Sequence, residues 1–201
     1  MRDDRLFIVA CDDTYAPKQY FDFFRLPRVQ VYVVGTPDGS CAASEVLDRL
    51  LRFNHEEEDE LWMLLDTDHY VQGTHLASFV AALSEAKRQG VNVALSKPSF
   101  ELWLLLHHVE ETGLGELPTA KDVEAALRAR LGQYNKTNLR REHYPLASVC
   151  DACNRAERLD ATVAGGDIPL ENTTRVYRLW RAVAAKAHPR QLPPELRGLL
   201  Q

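Results

Sequence analysis

The sequence lacks the features that would place the protein in a membrane or in several common enzyme classes. No apolar run in its 201 residues approaches the roughly 20 that a membrane-spanning helix needs. A glycine-rich phosphate loop, a P-loop and a GxSxG motif are absent, which disfavours nucleoside triphosphatases and serine hydrolases. Residues 1–5 lead into a strand-like stretch without a signal-peptide cleavage pattern. We therefore expect a cytoplasmic protein with no membrane partner.

Cysteine is also scarce, with four in the chain. Only Cys150 and Cys153 have the spacing of metal ligands, whereas a structural zinc site commonly combines two such pairs. Because no second pair and no nearby HxxxH motif exists, we interpret both residues as thiols on a helix face in a reducing compartment, rather than as zinc ligands.

Charge is distributed unevenly along the chain. Residues 1–117 carry 10 basic and 20 acidic side chains, whereas residues 118–201 carry 14 and 9. This asymmetry fits a metal site that faces a nucleic-acid-binding surface. It also fits a solvated acidic run, since residues 55–60 alone contribute five acidic side chains.

Short apolar runs alternate with amphipathic segments, a pattern that predicts an α/β fold. The runs, which are typical of strands buried on both faces, lie at residues 5–11, 29–34, 61–65 and 91–95. Their alternation with helices predicts a parallel sheet flanked by helices, with right-handed crossovers. We expect an α/β core over residues 1–117 and a helical C-terminal part, residues 118–201, packed on it.

Apolar side chains at helical spacing predict the flanking helices. Residues 17–25 form the first crossover, and residues 100–108 form a helix that is buried nearly all round, with Ser99 as its N-cap. A further helix ends at Gly90 and buries a stripe made of Leu76, Phe79, Val80, Leu83 and Ala86.

The C-terminal part is predicted to be helical at residues 119–131, at residues 144–160 and from about residue 172. We interpret Asn172 as the N-cap of the last helix rather than as a ligand. Residues 189–201 are expected to be loosely held. The three tryptophans fall on apolar stripes and are expected in the core: Trp62, Trp103 and Trp180.

Aspartates follow two of the predicted strands directly. Asp12 comes after the first strand, and Asp66 and Asp68 come at the end of the third. Strand carboxyl ends are where open parallel sheets place their sites, and alternation along an extended chain points Asp66 and Asp68 the same way. Three carboxylates without a histidine or cysteine partner select Mg²⁺ or Mn²⁺. The alternative is that these aspartates cap turns.

Five segments follow one another in a distinctive order: Tyr20-Phe21, residues 62–68 (WMLLDTD), residues 96–107 (SKPSFELWLLLH), residues 134–136 (YNK) and residues 172–176 (NTTRV). They resemble the segments of the RloB family, whose fold is Toprim-like, over roughly residues 5–185. The segment at residues 96–107 is the most specific. The resemblance implies a Toprim-like parallel sheet with a helical C-terminal extension.

The resemblance also implies metal-dependent phosphodiester chemistry, because Toprim domains hold a divalent metal with a glutamate and a DxD pair. Asp66 and Asp68 would hold Mg²⁺ or Mn²⁺, and Asp12 would hold the metal or orient the attacking water. The implied function is a nuclease in bacterial antiphage defence. Its partners would be nucleic acid, either RNA or DNA, and a partner protein of the defence system.

Two departures from the family pattern lie near these aspartates. Asp12 and Asp13 stand where the family has glutamate and glycine, and Ala16-Pro17-Lys18 stands where it has Thr-Glu-Pro. Aspartate is one methylene shorter than glutamate, so Asp12 reaches a metal only through a closer backbone or a water. The alternative function is therefore a degenerate Toprim-like module that binds nucleic acid or a partner protein without cutting.

Other side chains are weaker candidates. Lys97 or Lys136 would stabilise charge at the reacting phosphate or bind a flanking one. Glu101 would add a ligand, although it also fits a capping glutamate. His69 suits proton transfer or a surface turn. Tyr134, with Lys136, would close over a phosphate, and the alternative is an ordinary loop residue.

Overall fold

The structure is a computed structural model, and it describes residues 5–13, 15–36, 41–68, 70 and 75–200. Within these ranges one sheet contains five strands: β1 (Arg5–Cys11), β2 (Val29–Val34), β3 (Glu60–Asp66), β4 (Asn92–Lys97) and β5 (Thr173–Thr174). Their order is β2-β1-β3-β4-β5. The first four are parallel and β5 is antiparallel to β4. The predicted α/β class is confirmed.

Helices flank this sheet, and the α-helices are α1 (Tyr15–Asp22), α2 (Ala43–Arg52), α3 (His75–Arg88), α4 (Glu101–Leu106), α5 (Ala120–Leu131), α6 (Ala147–Thr162) and α7 (Val176–Lys186). Short 3₁₀ helices occupy Glu111–Gly113, Arg141–His143 and Pro194–Leu200. In the described part of the chain, no helix has both the length and the apolar character to cross a membrane.

The sheet separates two hydrophobic clusters, because successive side chains of a strand point to opposite faces. Phe7 and Val9 of β1 face the larger cluster, which α1 and α4–α7 cover. Ile8 and Ala10 face the smaller cluster, which α2 and α3 cover. The predicted core positions of the tryptophans are confirmed: Trp62, Trp103 and Trp180.

A buried hydrogen-bond relay joins α1, α4 and α6. The Ser148 hydroxyl donates to the Pro145 carbonyl (2.8 Å) and therefore accepts from His107 Nδ1 (2.7 Å), while Tyr20 donates to His107 Nε2 (3.0 Å). Burial lowers the pKa of His107 well below its usual value, so the imidazole stays neutral. The relay ties the C-terminal part to the helix that follows β4.

The predicted stripe on α3 is partly wrong. Leu76 and Val80 are 39% and 43% exposed, while Phe79, Ala82 and Ala86 are buried. At about 100° per residue, the buried face is centred on these three, and this places Leu76 and Val80 on its flank.

Two predicted N-caps are also wrong. Phe100, not Ser99, precedes α4, and no side chain caps that helix, although all of Glu101–Leu106 is buried as predicted. The last helix, α7, begins at Val176, because Thr173–Thr174 extend the sheet as β5. Asn172 donates instead to the Leu117 carbonyl (2.9 Å), tying β5 to the loop before α5.

The C-terminal tail is packed rather than loosely held. The 3₁₀ helix Pro194–Leu200 contacts α6 and α7, and the tail buries three leucines: Leu192, Leu196 and Leu199. Cys150 and Cys153 lie on α6 as free thiols, as interpreted from the sequence. Cys150 donates to the Glu195 carbonyl (2.9 Å), so α6 also holds the tail by a hydrogen bond.

Candidate functional site

The carboxyl ends of β1 and β3 meet at one edge of the sheet. Cys11 pairs in register with Leu64, so Asp12 leaves β1 beside the end of β3. Its Oδ2 accepts a hydrogen bond from the Asp66 amide (2.9 Å), and its Oδ1 accepts one from the Asp13 amide (2.9 Å). The structure therefore places Asp12 against the segment that carries the DxD pair.

A cavity of about 310 Å³ opens at this edge, and we call it the acidic cavity. It brings together five of the predicted site residues: Asp12, Asp66, Asp68, Glu101 and Lys136. Its other lining residues are Asp13, Tyr15, Thr36, Cys41, Ser99, Ala120 and Glu124. Asp66 and Asp68 thus line the same cavity, although β3 ends at Asp66 and Asp68 lies in the turn that follows.

Electrostatic crowding is strong in the acidic cavity. Burial raises the pKa of Asp66 well above its usual value, and the nearby charges of Asp12, Glu101 and Asp68 raise it further. Burial also raises the pKa of Asp12 to about 7, although hydrogen bonds from the amides of Asp66 and Asp13 favour its ionised form. The carboxylates therefore favour either bound protons or a bound cation.

The loop after α5 closes one side of the acidic cavity. Tyr134 donates from its hydroxyl to Glu101 Oε1 (2.8 Å), and Lys136 donates from Nζ to Asp13 Oδ2 (3.0 Å) in an ion pair. Burial alone would lower the pKa of Lys136, but the hydrogen bond and charge of Asp13, together with the charges of Glu101 and Glu124, raise it. Both loop residues that the sequence singled out thus contact carboxylates rather than solvent alone.

Gln19 of α1 fixes that loop, and sequence analysis missed it. Its Nε2 donates to the Lys136 carbonyl and to the Tyr15 carbonyl (both 2.8 Å), and its Oε1 accepts from the Leu139 amide (2.8 Å). A lone glutamine on a helix gives no sequence signal for contacts with a loop more than a hundred residues away. Glu124, another missed lining residue, lies on the face of α5 that the apolar pattern leaves polar.

Lys97 is not among the residues that line the acidic cavity. Its Nζ donates to the Leu170 carbonyl (2.7 Å), and the residue lines a neighbouring cleft with Asp68. His69 lies outside the described residues. Lys97 therefore lies in a different cleft from the other candidate residues, and Asp68 lines both the cleft and the acidic cavity.

The carboxylate oxygens of the acidic cavity fit a hard divalent cation such as Mg²⁺ or Mn²⁺. Each Asp12 oxygen accepts one amide hydrogen bond and retains a second lone pair for a ligand. Across the described ranges, no group of three His, Cys, Asp or Glu side chains is already arranged to hold a metal. For all three aspartates to hold one cation, their side chains must therefore move or a water must bridge one of them to the cation.

Comparison with protein families identifies the chain. A model of the family described as RloB-like protein matches residues 7–182. The chain belongs to the RloB-like family. The match runs from β1 into α7 and includes every residue of the acidic cavity. Membership of the RloB-like family suggests a defence-related protein. Searches of curated proteins and of solved structures gave no match.

Proposed function

We propose that this RloB-like protein is a cytoplasmic, metal-dependent nuclease of the Toprim type that hydrolyses phosphodiester bonds in bacterial antiphage defence. The acidic cavity carries the proposal, because Asp12, Asp66 and Glu101 crowd there closely enough to raise the pKa of Asp66. Repulsion between these carboxylates destabilises the folded protein unless a bound cation or a proton neutralises their charge. Family membership supports the defence context.

Asp12, Asp66 and Asp68 would hold Mg²⁺ or Mn²⁺ in this proposal. The bound cation would polarise the phosphate and stabilise the entering and leaving oxygens. Asp12 would either bind the cation or accept the proton of the attacking water, because each of its oxygens keeps a lone pair beside its one amide hydrogen bond. Glu101 would add a fourth carboxylate, held in orientation by Tyr134.

Lys136 supplies the positive charge at the mouth of the acidic cavity. Its ion pair with Asp13 is about half-exposed, so the ammonium can exchange that carboxylate for a substrate phosphate. Neutralising charge on the phosphate lowers the barrier to attack by water. Lys97 would act farther away, on a flanking phosphate.

A second candidate function is binding without cleavage, and the hydrogen bonds of Asp12 favour it. Both its oxygens accept backbone amides, and the side chain is shorter than the glutamate of the family pattern. A site with one carboxylate so engaged would hold nucleic acid or a partner protein without activating water. The two functions differ in whether a bound strand is cut.

Incubation with tRNA, single-stranded DNA and duplex DNA in Mn²⁺ tests the proposal. We expect the wild type to cut at least one substrate and Mn²⁺ to raise its melting temperature, and we expect Asp68→Ala to lose both effects. Asp48→Ala on α2, an exposed aspartate, is the matched control. If cleavage survives Asp68→Ala, the activity comes from another site or from a contaminant. Binding of a substrate without cleavage would favour the second function.

Tyr134→Phe tests whether the Tyr134 hydroxyl orients Glu101 for metal binding. Removing the hydroxyl deletes the donor to Glu101 Oε1 and should weaken Mn²⁺ affinity by about 10-fold or more, as for other groups that orient metal ligands. The affinity is measured from the Mn²⁺ dependence of the melting temperature. Tyr32→Phe on β2, where the side chain is 47% exposed, is the control. Equal Mn²⁺ affinity in both variants would contradict a supporting role for Tyr134.

A further inference from the structure

Tyr15 presents an aromatic ring to solvent at the acidic cavity. It is the first residue of α1, it lines the cavity, and it is 61% exposed. Among the residues that the structure describes, its hydroxyl has no hydrogen-bond partner and its ring contacts no other ring. The ring therefore offers a free face to a ligand of the cavity.

The other tyrosines of the chain are engaged in the fold. Each of these six is hydrogen-bonded or packed against another ring: Tyr20, Tyr32, Tyr70, Tyr134, Tyr144 and Tyr177. Single exposed apolar side chains are common on protein surfaces, so exposure alone says little about Tyr15. Its place at the acidic cavity is what gives the exposed ring a use.

The backbone of Tyr15 is held by two side chains. Its amide donates to Asp13 Oδ1 (2.8 Å), and its carbonyl accepts from Gln19 Nε2 (2.8 Å). Gln19 Nε2 also donates to the Lys136 carbonyl, so the same glutamine fixes both sides of the cavity mouth. Because its backbone is already ordered, the ring can bind a ligand at a small cost in conformational entropy.

Asp13 joins Tyr15 to Lys136. One oxygen of its carboxylate accepts from the Tyr15 amide, and the other accepts from Lys136 Nζ (3.0 Å). An aromatic ring and an ammonium group therefore lie on either side of one carboxylate, and both residues line the acidic cavity. Proteins that bind single-stranded nucleic acid combine these two groups, because the ring stacks on a base while the cation contacts the backbone.

We infer that the Tyr15 ring stacks on an unpaired base next to the phosphate in the acidic cavity, so that the substrate is a single strand. The inference rests on the proposed function and specifies its substrate class. A base inside a duplex is stacked on its neighbours, whereas an unpaired base can turn towards an aromatic side chain. Every base has an aromatic face, so the contact accepts RNA and DNA of any sequence.

Fluorescence anisotropy tests the inference with a single strand of about 12 nucleotides, as DNA and as RNA, and with the DNA duplex of the same sequence. Ca²⁺ replaces Mn²⁺, so that binding is measured apart from cleavage. Tyr15→Ala should weaken binding of the single strands about 5-fold or more and leave duplex binding unchanged, whereas Tyr15→Phe, which keeps the ring, should bind within about 2-fold of wild type. Tyr32→Ala on β2, where the side chain is 47% exposed, is the control.

The salt dependence distinguishes stacking from an indirect effect on Lys136. Stacking neutralises no phosphate, so Tyr15→Ala should keep the wild-type slope of log affinity against log salt. Lys136→Ala should reduce that slope by about 0.7, the effect of one lost phosphate contact on a single strand. A reduced slope in Tyr15→Ala would show that the ring acts by positioning Lys136.

Single strands in which one base at a time is replaced by an abasic site locate the contact. At one position the missing base should weaken binding by the wild type and leave binding by Tyr15→Ala unchanged. Unchanged affinity in Tyr15→Ala, an equal loss on the duplex, the same abasic losses in wild type and Tyr15→Ala, or no binding of single strands by the wild type would overturn the inference. Absence of cleavage in Mn²⁺ with this binding pattern intact would instead refute the proposed nuclease and leave the stacking contact standing.

Discussion

Asp66→Asn is expected to reduce Mn²⁺-dependent cleavage by about 10³-fold or more and also to stabilise the metal-free protein near neutral pH. The two effects have one cause, the burial of Asp66 among other carboxylates in the acidic cavity. In the proposed metal site Asp66 would be a ligand, and its loss would remove the charge stabilisation of the reaction. Without a cation, the ionised carboxylate repels Asp12, Glu101 and Asp68.

The sign of the pH dependence follows from the raised pKa values. A carboxyl whose pKa is higher in the folded protein binds more protons there than in the unfolded chain, so stability falls as pH rises. For Asp12 the window runs from about pH 4, the unfolded value, to about 7. The pKa of Asp66 is also raised, so Asp66 adds to the loss of stability as pH rises. The slope is about 1.4 kcal/mol per pH unit for each such proton.

Urea unfolding in EDTA at pH 5 and pH 8 measures this effect. We expect the wild type to be less stable at pH 8 than at pH 5 and the Asp66→Asn variant to lose less stability over this range. Mn²⁺ should restore the stability of the wild type at pH 8 but not that of Asp66→Asn. Asp48→Asn, on the surface of α2, should follow the wild type. Equal pH dependence in wild type and Asp66→Asn would mean that burial among carboxylates does not raise the pKa of Asp66, and the metal proposal would lose its support.

Strands could be predicted from the sequence because a parallel strand buried on both faces is a continuous apolar run. The runs at Arg5–Cys11 and Val29–Val34 have the same bounds in the structure. These features depend on local periodicity, which a single sequence carries.

Contacts between distant segments could not be predicted in this way. The two-residue strand Thr173–Thr174 is too short to produce a periodic signal, and its position depends on Asp160, which nothing in the sequence singled out. Lys97 follows the most specific motif, yet its ammonium is directed to Leu170 by a hydrogen bond across the fold. Gln19 likewise acquires its role only when α1 meets the loop after α5.

Asp160 of α6 is the centre of the network that holds β5 and α7. Its carboxylate accepts from Arg175 Nε (3.0 Å), the Tyr177 hydroxyl (3.0 Å), Arg178 (2.9 Å) and the Thr173 hydroxyl (3.3 Å). Arg175 donates further to the carbonyls of residues 166 and 167. Although burial alone would raise it, the hydrogen bonds and charge of Arg175 hold the pKa of Asp160 below its usual value.

Asp160→Ala is therefore expected to lower the free energy of unfolding by about 3–5 kcal/mol, because it leaves the guanidinium of Arg175 buried without its counter-charge. The side chains of Asp160 and Arg175 are only 6% and 9% exposed. Denaturant unfolding at pH 7 measures the loss, and Asp151→Ala, an exposed aspartate of the same helix, should change stability by no more than about 0.5 kcal/mol.

The pH dependence and a second substitution distinguish the network from a general packing defect. The stability that Asp160 contributes is present above the pKa of its unfolded state, about 3.9, and is lost as pH falls through the lower pKa of the folded state. The free energies of unfolding of wild type and Asp160→Ala should therefore become similar in strong acid. Replacing Arg175 by methionine in the Asp160→Ala background should recover part of the loss, because the unpaired charge is removed. A loss below about 1 kcal/mol at pH 7, or a double variant less stable than Asp160→Ala, would show that the ion pair does not hold β5 in place.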